Sequence, residues 1–141
     1  MRTKLFFLVL LIFMACKVPQ DPEHSYLEAQ EDKLLVGVVD NPPFASTADG
    51  TVSGSEIEKL RDFARHENLQ IEFIKGNESE LIEKLEKFEI HVVTGGFTKK
   101  TIWKKKAGLT TAYDKKHVFL IPKGENLLLE HLEDYIFQNK K

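Results

Sequence analysis

The chain has 141 residues, of which 42% are hydrophobic and 30% are charged, with 20 basic and 22 acidic side chains. This length supports one compact domain with a hydrophobic core, and the nearly balanced charge argues against nucleic acid as a partner. The single cysteine excludes an intramolecular disulfide and a cysteine-based metal site.

The chain begins with a signal-peptide pattern, in which basic residues 1–4 precede an apolar run over residues 5–15. That run has eleven residues (15 minus 4), fewer than the roughly 20 that a membrane-spanning helix needs. It ends in Phe13-Met14-Ala15-Cys16, which resembles a bacterial lipobox with Phe in place of the more usual Leu. We predict a signal peptide over residues 1–15 and lipidation of Cys16. The alternative is a non-lipidated secretory signal or an uncleaved hydrophobic segment.

Removing residues 1–15 leaves 126 residues (141 minus 15), with 18 basic and 22 acidic side chains and a formal charge of about −4. Residues 17–33 contain Pro19, Pro22, many polar side chains and no sustained apolar period. Such composition is typical of a linker. We therefore predict the lipidated Cys and a tether over residues 16–33, and a single domain over residues 34–141.

Hydrophobic periodicity then predicts alternating strands and helices. Residues 34–39 are a short apolar run that stops at two prolines, which indicates a buried strand. Residues 55–66 place apolar side chains on one helical face, and residues 69–74 predict a second strand. Asn77, with Glu80 three residues later, resembles the N-cap of the next helix.

The second half of the chain continues the alternation. Residues 90–93 predict a third strand that leads into Gly95 and Gly96, and residues 118–121 predict a fourth. A closing helix is indicated by Leu128, Leu132, Tyr135 and Ile136. Strands that alternate with helices imply an α/β fold with a mostly parallel sheet. Ligands of such sheets bind beyond the carboxyl ends of the strands, so the loops at residues 40–44 and 94–98 are predicted to share one crevice.

Three segments carry a resemblance to a known family: Asp40-Asn41-Pro42-Pro43-Phe44, Gly54-Ser55-Glu56-Ile57-Glu58 and Gly95-Gly96-Phe97-Thr98. Together they resemble one lobe of the family 3 extracellular solute-binding proteins, the amino-acid-type receptors of ABC importers. The resemblance covers residues 33–122 and extends to the final helix. It implies a single three-layer lobe of a periplasmic-binding-protein-like fold, with flanking helices and the second lobe absent.

The resemblance also implies a binding crevice for a small polar or anionic solute. The two prolines would hold their loop extended so that Phe44 presents its ring to the crevice, although Phe44 could instead fill the core. Gly95 and Gly96 would allow close backbone approach, and Thr98 would offer a hydroxyl to a carboxylate. The candidate ligand-binding residues are Asp40, Phe44, Gly95, Gly96, Thr98 and Tyr113.

The sequence departs from the family pattern at the carboxylate clamp. The family carries an Arg whose planar guanidinium grips an α-carboxylate, and Trp103 stands at that position here. After residue 15 the only arginines are Arg61 and Arg65, both on the first predicted helix. Trp103 is either a stacking platform at the rim of the crevice or a packing residue. Ser55 and Lys59 also replace residues that are usually apolar.

Five lysines form a basic patch beside the predicted crevice: Lys99, Lys100, Lys104, Lys105 and Lys106. Such a patch could steer an anionic ligand or contact acidic lipid headgroups, or it could be a solvated helix face.

The sequence carries no recognised catalytic or metal motif. The five histidines are scattered, none has a second histidine three or four residues away, and no nucleophile elbow or phosphate loop is present. His91 stands where the family commonly has Asp, and we interpret it as structural. We therefore predict no enzymatic activity, no catalytic residue, no metal and no cofactor.

These observations lead to three hypotheses. The first is a lipid-anchored cell-envelope protein, facing the periplasm or the exterior, that binds a solute weakly and works with ABC-type uptake through a permease partner. The second is a protein–protein interaction module with a vestigial crevice, which docks an envelope protein or forms a homodimer. The third is an enzyme of an arrangement that no motif identifies.

Overall fold

A five-stranded sheet forms the centre of residues 21–140, the part of the chain that the computed structural model describes. Its strands are β1 (Leu34–Val38), β2 (Ile71–Lys75), β3 (Val92–Thr94), β4 (Gly108–Leu109) and β5 (Leu120–Ile121), in the order β2-β1-β3-β5-β4. β1 is parallel to β2 and β3, whereas β5 is antiparallel to β3 and β4. Four of the five strands therefore run in one direction, as the prediction of a mostly parallel sheet requires.

Among residues 21–140, four α-helices flank this sheet: α1 (Ser25–Glu31), α2 (Ser55–His66), α3 (Glu78–Glu86) and α4 (Asn126–Gln138). Two short 3-10 segments, Ala48–Gly50 and Ile102–Lys105, lie in the loops. Within the described residues, none of the helices has both the length and the apolar character to cross a membrane.

The alternation of side chains along the strands divides the core into two layers. Leu34, Val36 and Val38 face one side of β1 and pack with α1, α2 and α4, whereas Leu35 faces the other side. That second side packs with α3, whose Leu81, Ile82 and Leu85 are buried. The result is the predicted three-layer lobe. Successive side chains of a strand point to opposite faces of the sheet, so each face can pack against its own layer of helices.

The local predictions for α2 and α3 are confirmed. α2 begins at Ser55 and ends at His66 as the periodicity indicated, and its apolar face is buried against the sheet. The side chain of Asn77 caps α3 by accepting a hydrogen bond from the amide of Glu80 at 2.9 Å. By contrast, β4 was missed because two residues are too short to show a period.

The prediction that residues 16–33 form a tether needs correction over part of that range. Ser25–Glu31 is a helix, and its Tyr26 and Ala29 are only 4% and 1% exposed in the core. Segment 21–25 is also fixed to the start of α4, because Glu125 accepts hydrogen bonds from the amides of Glu23 and Ser25. The folded unit thus includes residues before 34, whereas the predicted signal peptide and Cys16 lie outside the described residues.

Candidate functional site

A buried carboxylate joins the carboxyl end of β3 and the loop after it to Tyr113. Glu56, the second residue of α2, is fully buried. Its Oε2 atom accepts hydrogen bonds from the amides of Gly95 (2.9 Å) and Gly96 (3.0 Å) and from the Thr94 hydroxyl. Its Oε1 atom accepts one from the Tyr113 hydroxyl at 2.6 Å. Four donors therefore satisfy one carboxylate, which explains how a charged group is tolerated in this core.

The first turn of α2 also holds the loop after β1. The amides of Ser55 and Glu56 donate to the carbonyls of Pro43 (3.1 Å) and Phe44 (2.9 Å). Only glycine fits at position 54, because its φ is 127° and a Cβ atom there would lie 2.3 Å from the Phe44 carbonyl oxygen. The helix start is thus joined to the loop that carries Phe44.

The two predicted anion-binding glycines contact the protein itself. Their amides are occupied by Glu56, so they do not provide free donors for a solute. A Cβ atom on Gly96 would lie 2.6 Å from Nδ2 of Asn41 and 2.7 Å from Cδ2 of Phe44. The Asn41 side chain in turn donates to the Gly95 carbonyl at 2.8 Å. The close backbone approach that the glycines permit is therefore to the β1 loop, and a role of this segment in holding a solute stays a prediction.

A cavity of about 420 Å³ opens beside these loops. It is lined by Phe44, Ser55, Lys59, Tyr113, Asp114 and Asn139. The Lys59 ammonium lies 5.3 Å from the centroid of the Tyr113 ring, within the range of a cation–π contact. The Phe44 ring packs against His117 with its centroid 4.4 Å from that of the imidazole. The cavity thus combines two aromatic walls with a cation and a carboxyl group.

Asp114 is held as an anion by the turn in which it lies. Its Oδ1 accepts hydrogen bonds from the amides of Lys116 (2.8 Å) and His117 (2.7 Å), and its Oδ2 lies 2.6 Å from Nδ1 of His117. Partial burial acts to raise the pKa of Asp114, but these hydrogen bonds outweigh it and lower the pKa to about 2. At neutral pH the cavity therefore presents a negative charge at Asp114, and Lys59 in the same lining presents a positive one.

Tyr113 joins the cavity to the buried carboxylate beneath it. Burial, and then the hydrogen bond to Glu56, raise the pKa of the Tyr113 hydroxyl far above its ordinary value. The phenol therefore stays protonated and serves as a donor to Glu56, while its ring forms a wall of the cavity.

The structure brings most of the predicted site residues together. Phe44 contacts Gly96 and His117, and His117 forms an isolated β-bridge with Thr98. The Tyr113 ring is stacked on the same imidazole at 6.0 Å. Asp40 is different, because its carboxylate accepts hydrogen bonds from the amide and hydroxyl of Thr47 in its own loop.

Sequence reasoning missed four residues that define the cavity and its floor: Glu56, Lys59, Asp114 and His117. Glu56 lies in one of the three segments that carry the family resemblance, but nothing in that segment predicts the burial of its carboxylate. Lys59 stands where the family usually has an apolar residue, and of the four residues it alone carried a sequence signal for this site. Asp114 and His117 form a local turn, but no motif in the sequence marks that turn as part of a site.

Trp103 and His91 have structural roles. The Trp103 indole donates a hydrogen bond to Glu78 and packs on the core layer of α3, which confirms the packing interpretation. His91 is 2% exposed; its Nδ1 accepts a hydrogen bond from the Leu35 amide at 3.0 Å, and its Nε2 lies 3.2 Å from Glu28. Among residues 21–140, no three histidine, cysteine or carboxylate side chains converge in a way that could hold a metal ion.

The sequence matches one family model, described as bacterial extracellular solute-binding proteins, family 3, over residues 34–139. A comparison with curated proteins finds no match.

Solved structures with a similar fold include amino-acid-binding proteins. The arginine-bound form of domain 1 from TmArgBP has a TM-score of 0.71 at 22% identity, covering 77% of this chain and 94% of that one. The P235GK mutant of ArgBP from T. maritima has a TM-score of 0.72 at 13% identity, covering 82% and 92%. The ancestral amino-acid-binding protein AncCDT-1, a precursor of cyclohexadienyl dehydratase, has a TM-score of 0.71 at 14% identity, covering 81% and 92%. At these identities the likeness establishes the fold.

Proposed function

We propose that this chain, which belongs to the bacterial extracellular solute-binding proteins of family 3, binds a small zwitterionic solute of the amino-acid type in the cavity between Phe44 and Tyr113. We further propose that Cys16 anchors it by lipid to the cell envelope and that it works with an ABC-type permease. The family supports a solute-binding role for the chain, and the nature of the solute is argued from the cavity.

The observation that carries this proposal is the pair of opposite charges on one cavity. An α-amino acid presents a carboxylate and an ammonium group, and Lys59 and Asp114 are the matching partners. The low pKa of Asp114 keeps it charged at neutral pH, so an ammonium group would meet an anion there. The rings of Phe44 and Tyr113 would cover the apolar part of the solute.

Trp103 stands where the family carries the Arg that grips the α-carboxylate, so Lys59 would bind the carboxylate in its place. An ammonium is a point charge without the planar fork of arginine, so it grips a carboxylate less specifically. The cavity is also open on one side, which leaves part of a bound solute in water. We therefore expect a dissociation constant of roughly 1 mM.

A single lobe can be sufficient for binding of this kind. Domain 1 from TmArgBP, which has a similar structure, is known in an arginine-bound form. That precedent supports solute binding by the lobe formed by residues 21–140, and the absence of a recognised catalytic motif supports binding without chemistry.

The test is an amide NMR titration of residues 17–141 with amino acids, small carboxylates, amines and sugars, because NMR detects millimolar binding. We expect saturable shifts at Phe44, Lys59, Tyr113 and Asp114 for amino acids. Lys59→Met should weaken the binding of amino acids and simple carboxylates about tenfold but leave the binding of amines unchanged. Asp114→Asn should weaken the binding of amino acids and amines about tenfold but leave the binding of simple carboxylates unchanged.

Lys75→Met, which removes an exposed lysine that does not line the cavity, is the matched control and should change nothing. Shifts that appear elsewhere on the lobe would overturn the assignment of the cavity. No shifts from any compound would favour the alternative function, an interaction module of the envelope with a vestigial crevice.

A further inference from the structure

One face of the lobe concentrates positive charge. Between residues 99 and 123 there are eight lysines and one acidic residue, Asp114, a net charge of +7 (8 minus 1). The rest of residues 16–141 carries 10 basic and 21 acidic side chains, a net charge of −11. All eight lysines are exposed: Lys99, Lys100, Lys104, Lys105, Lys106, Lys115, Lys116 and Lys123. We call this set the lysine face.

Two hydrogen bonds join segments of the lysine face. The Lys99 amide donates to the Lys116 carbonyl at 3.3 Å, which joins the loop after β3 to the turn of Asp114. The Lys123 ammonium donates to the Lys105 carbonyl at 2.8 Å, which joins the 3-10 segment to the end of β5. Within residues 21–140, Lys106 is the one member with a carboxylate partner, Glu86 at 3.4 Å. Most of the positive charge on this face is therefore uncompensated.

An apolar side chain lies within the lysine face. Ile102 is 79% exposed and stands between Lys100 and Lys104 in the sequence. Its exposure is fixed by its neighbour, because Trp103 is held against the core by packing and by its hydrogen bond to Glu78. An exposed large aliphatic side chain in a lysine-rich segment is the combination that interfacial membrane contacts use.

The N-terminal segment leaves the lobe beside the same face. Asp21 accepts a hydrogen bond from the Leu127 amide, and a Cβ atom on Gly124 would lie 3.6 Å from Pro22. Gly124 follows Lys123 directly, so the described chain begins next to one end of the lysine face. Cys16 is five residues (21 minus 16) before Asp21. Five residues span at most roughly 17 Å, so an acyl chain on Cys16 would keep this face near the bilayer.

We propose that the lysine face docks on a membrane surface that contains anionic phospholipids, with Ile102 entering the headgroup region. Attraction between the lysines and anionic headgroups provides the binding energy, and the negative charge of the rest of the lobe makes the orientation unique. The turn of Asp114, Lys115 and Lys116 belongs to both the lysine face and the cavity. Docking therefore brings the rim of the cavity close to the membrane. This inference is independent of which solute the cavity binds.

The experiment uses the sole tryptophan, Trp103, as a probe next to Ile102. The full chain, as processed by the expressing cell, is reconstituted in vesicles of brominated phosphatidylcholine with or without about 30% phosphatidylglycerol. Docking brings Trp103 to the bromine atoms and quenches its fluorescence. We expect strong quenching only in the anionic vesicles, reversed by about 0.5 M NaCl because salt screens the attraction.

Two double variants with the same net charge separate docking on this face from general attraction. Lys104→Glu/Lys105→Glu should lower the ratio of docked to undocked protein at least about thirtyfold, since each lost lysine alone accounts for about fivefold. Lys75→Glu/Lys140→Glu, which changes two exposed lysines outside the face, should quench like the unmodified chain. Ile102→Ser should reduce quenching without changing its dependence on salt.

Three results would overturn the proposal. The first is equal quenching in neutral and anionic vesicles, and the second is unchanged quenching in Lys104→Glu/Lys105→Glu. The third is no quenching in either vesicle, which would leave the lysine face to an acidic protein partner. Far-UV circular dichroism shows whether the double variant folds. If it does not fold, the single variant Lys105→Gln replaces it in the test. The ratio of docked to undocked protein should then fall about fivefold.

Discussion

Two buried carboxylates, Glu56 and Glu125, use the same chemistry at two places in the lobe. Glu56 is fully buried and accepts hydrogen bonds from two amides and two hydroxyls beneath the cavity. Glu125 is 1% exposed and accepts hydrogen bonds from the amides of Glu23 (2.9 Å) and Ser25 (2.7 Å) at the start of α4. In return, Asp21 accepts a hydrogen bond from the amide of Leu127 at 2.9 Å.

The difference between them lies in what each carboxylate joins. The donors to Glu56 come from β3, from the loop after it and from Tyr113 near β5, so this residue connects separate parts of the sheet. The donors to Glu125 all come from the segment before and at the start of α1. We infer that Glu56 supports the whole lobe and the shape of its cavity, whereas Glu125 secures one peripheral helix. Two carboxylates that are both buried can therefore differ in how much of the lobe is destabilised when each is removed.

The largest expected effect is that of Glu56→Ala. It leaves two amides and two hydroxyls without an acceptor in the core, and we expect the free energy of unfolding to fall by about 3–5 kcal/mol. Urea denaturation measures this. Glu58→Ala, on the exposed face of the same helix turn, is the control and should cost less than about 1 kcal/mol. A loss of under about 1 kcal/mol for Glu56→Ala itself would contradict a supporting role for the buried carboxylate.

Glu125→Ala should have a smaller and more local effect. Two amide donors lose a charged acceptor, and we expect a loss of about 2 kcal/mol. Hydrogen exchange of the amides in Ser25–Glu31 should become faster while exchange in β1 and β3 stays unchanged, since α1 can detach without opening the sheet. Glu130→Ala, exposed on α4, is the matched control. Faster exchange throughout the sheet would remove the distinction between the two carboxylates.

Tyr113→Phe sharpens the comparison by removing one of the four donors to Glu56. The carboxylate keeps its three other partners, so we expect a loss of about 1–2 kcal/mol in urea denaturation. The ring remains as a wall of the cavity, and the NMR titration should therefore give the same dissociation constant within about twofold. A large loss of solute binding would mean that the hydroxyl, and not the ring, contacts the solute.

Asp114 is an exposed carboxylate, and we expect its replacement to have the smallest effect on the free energy of unfolding. Its pKa in the folded lobe, about 2, lies below the ordinary value of 3.8, so the unfolded chain binds the proton more readily. Its contribution to stability is present above about pH 4 and disappears as the pH falls through about 2. The difference in free energy of unfolding between the native chain and Asp114→Asn should therefore shrink between pH 5 and pH 2. A difference that is constant with pH would contradict the charged hydrogen bonds.

The predictions that succeeded concern elements whose cause lies within a few neighbouring residues. The apolar spacing from Ser55 to His66 is enough to specify α2, and the Asn77 cap depends on a residue three positions away. The α1 helix was missed because the burial of Tyr26 and the bonds to Glu125 join positions about 100 residues apart. A short segment with two inward-facing residues has too weak a local pattern to predict a helix.

The sequence by itself determined the α/β class and the bounds of α2, because periodicity and turn residues act locally, and it placed the loops after β1 and β3 at one edge of the sheet. Only the tertiary structure decided that Glu56 occupies the amides of Gly95 and Gly96, and that Lys59 and Asp114 line one cavity. Those two residues are 55 positions apart (114 minus 59), and they meet because β5 returns antiparallel to β3 and carries the Asp114 turn back to α2. Strand direction and register decide which distant residues meet, and they leave no periodic pattern near either residue. The meeting of Lys59 and Asp114 therefore cannot be read from the sequence around them.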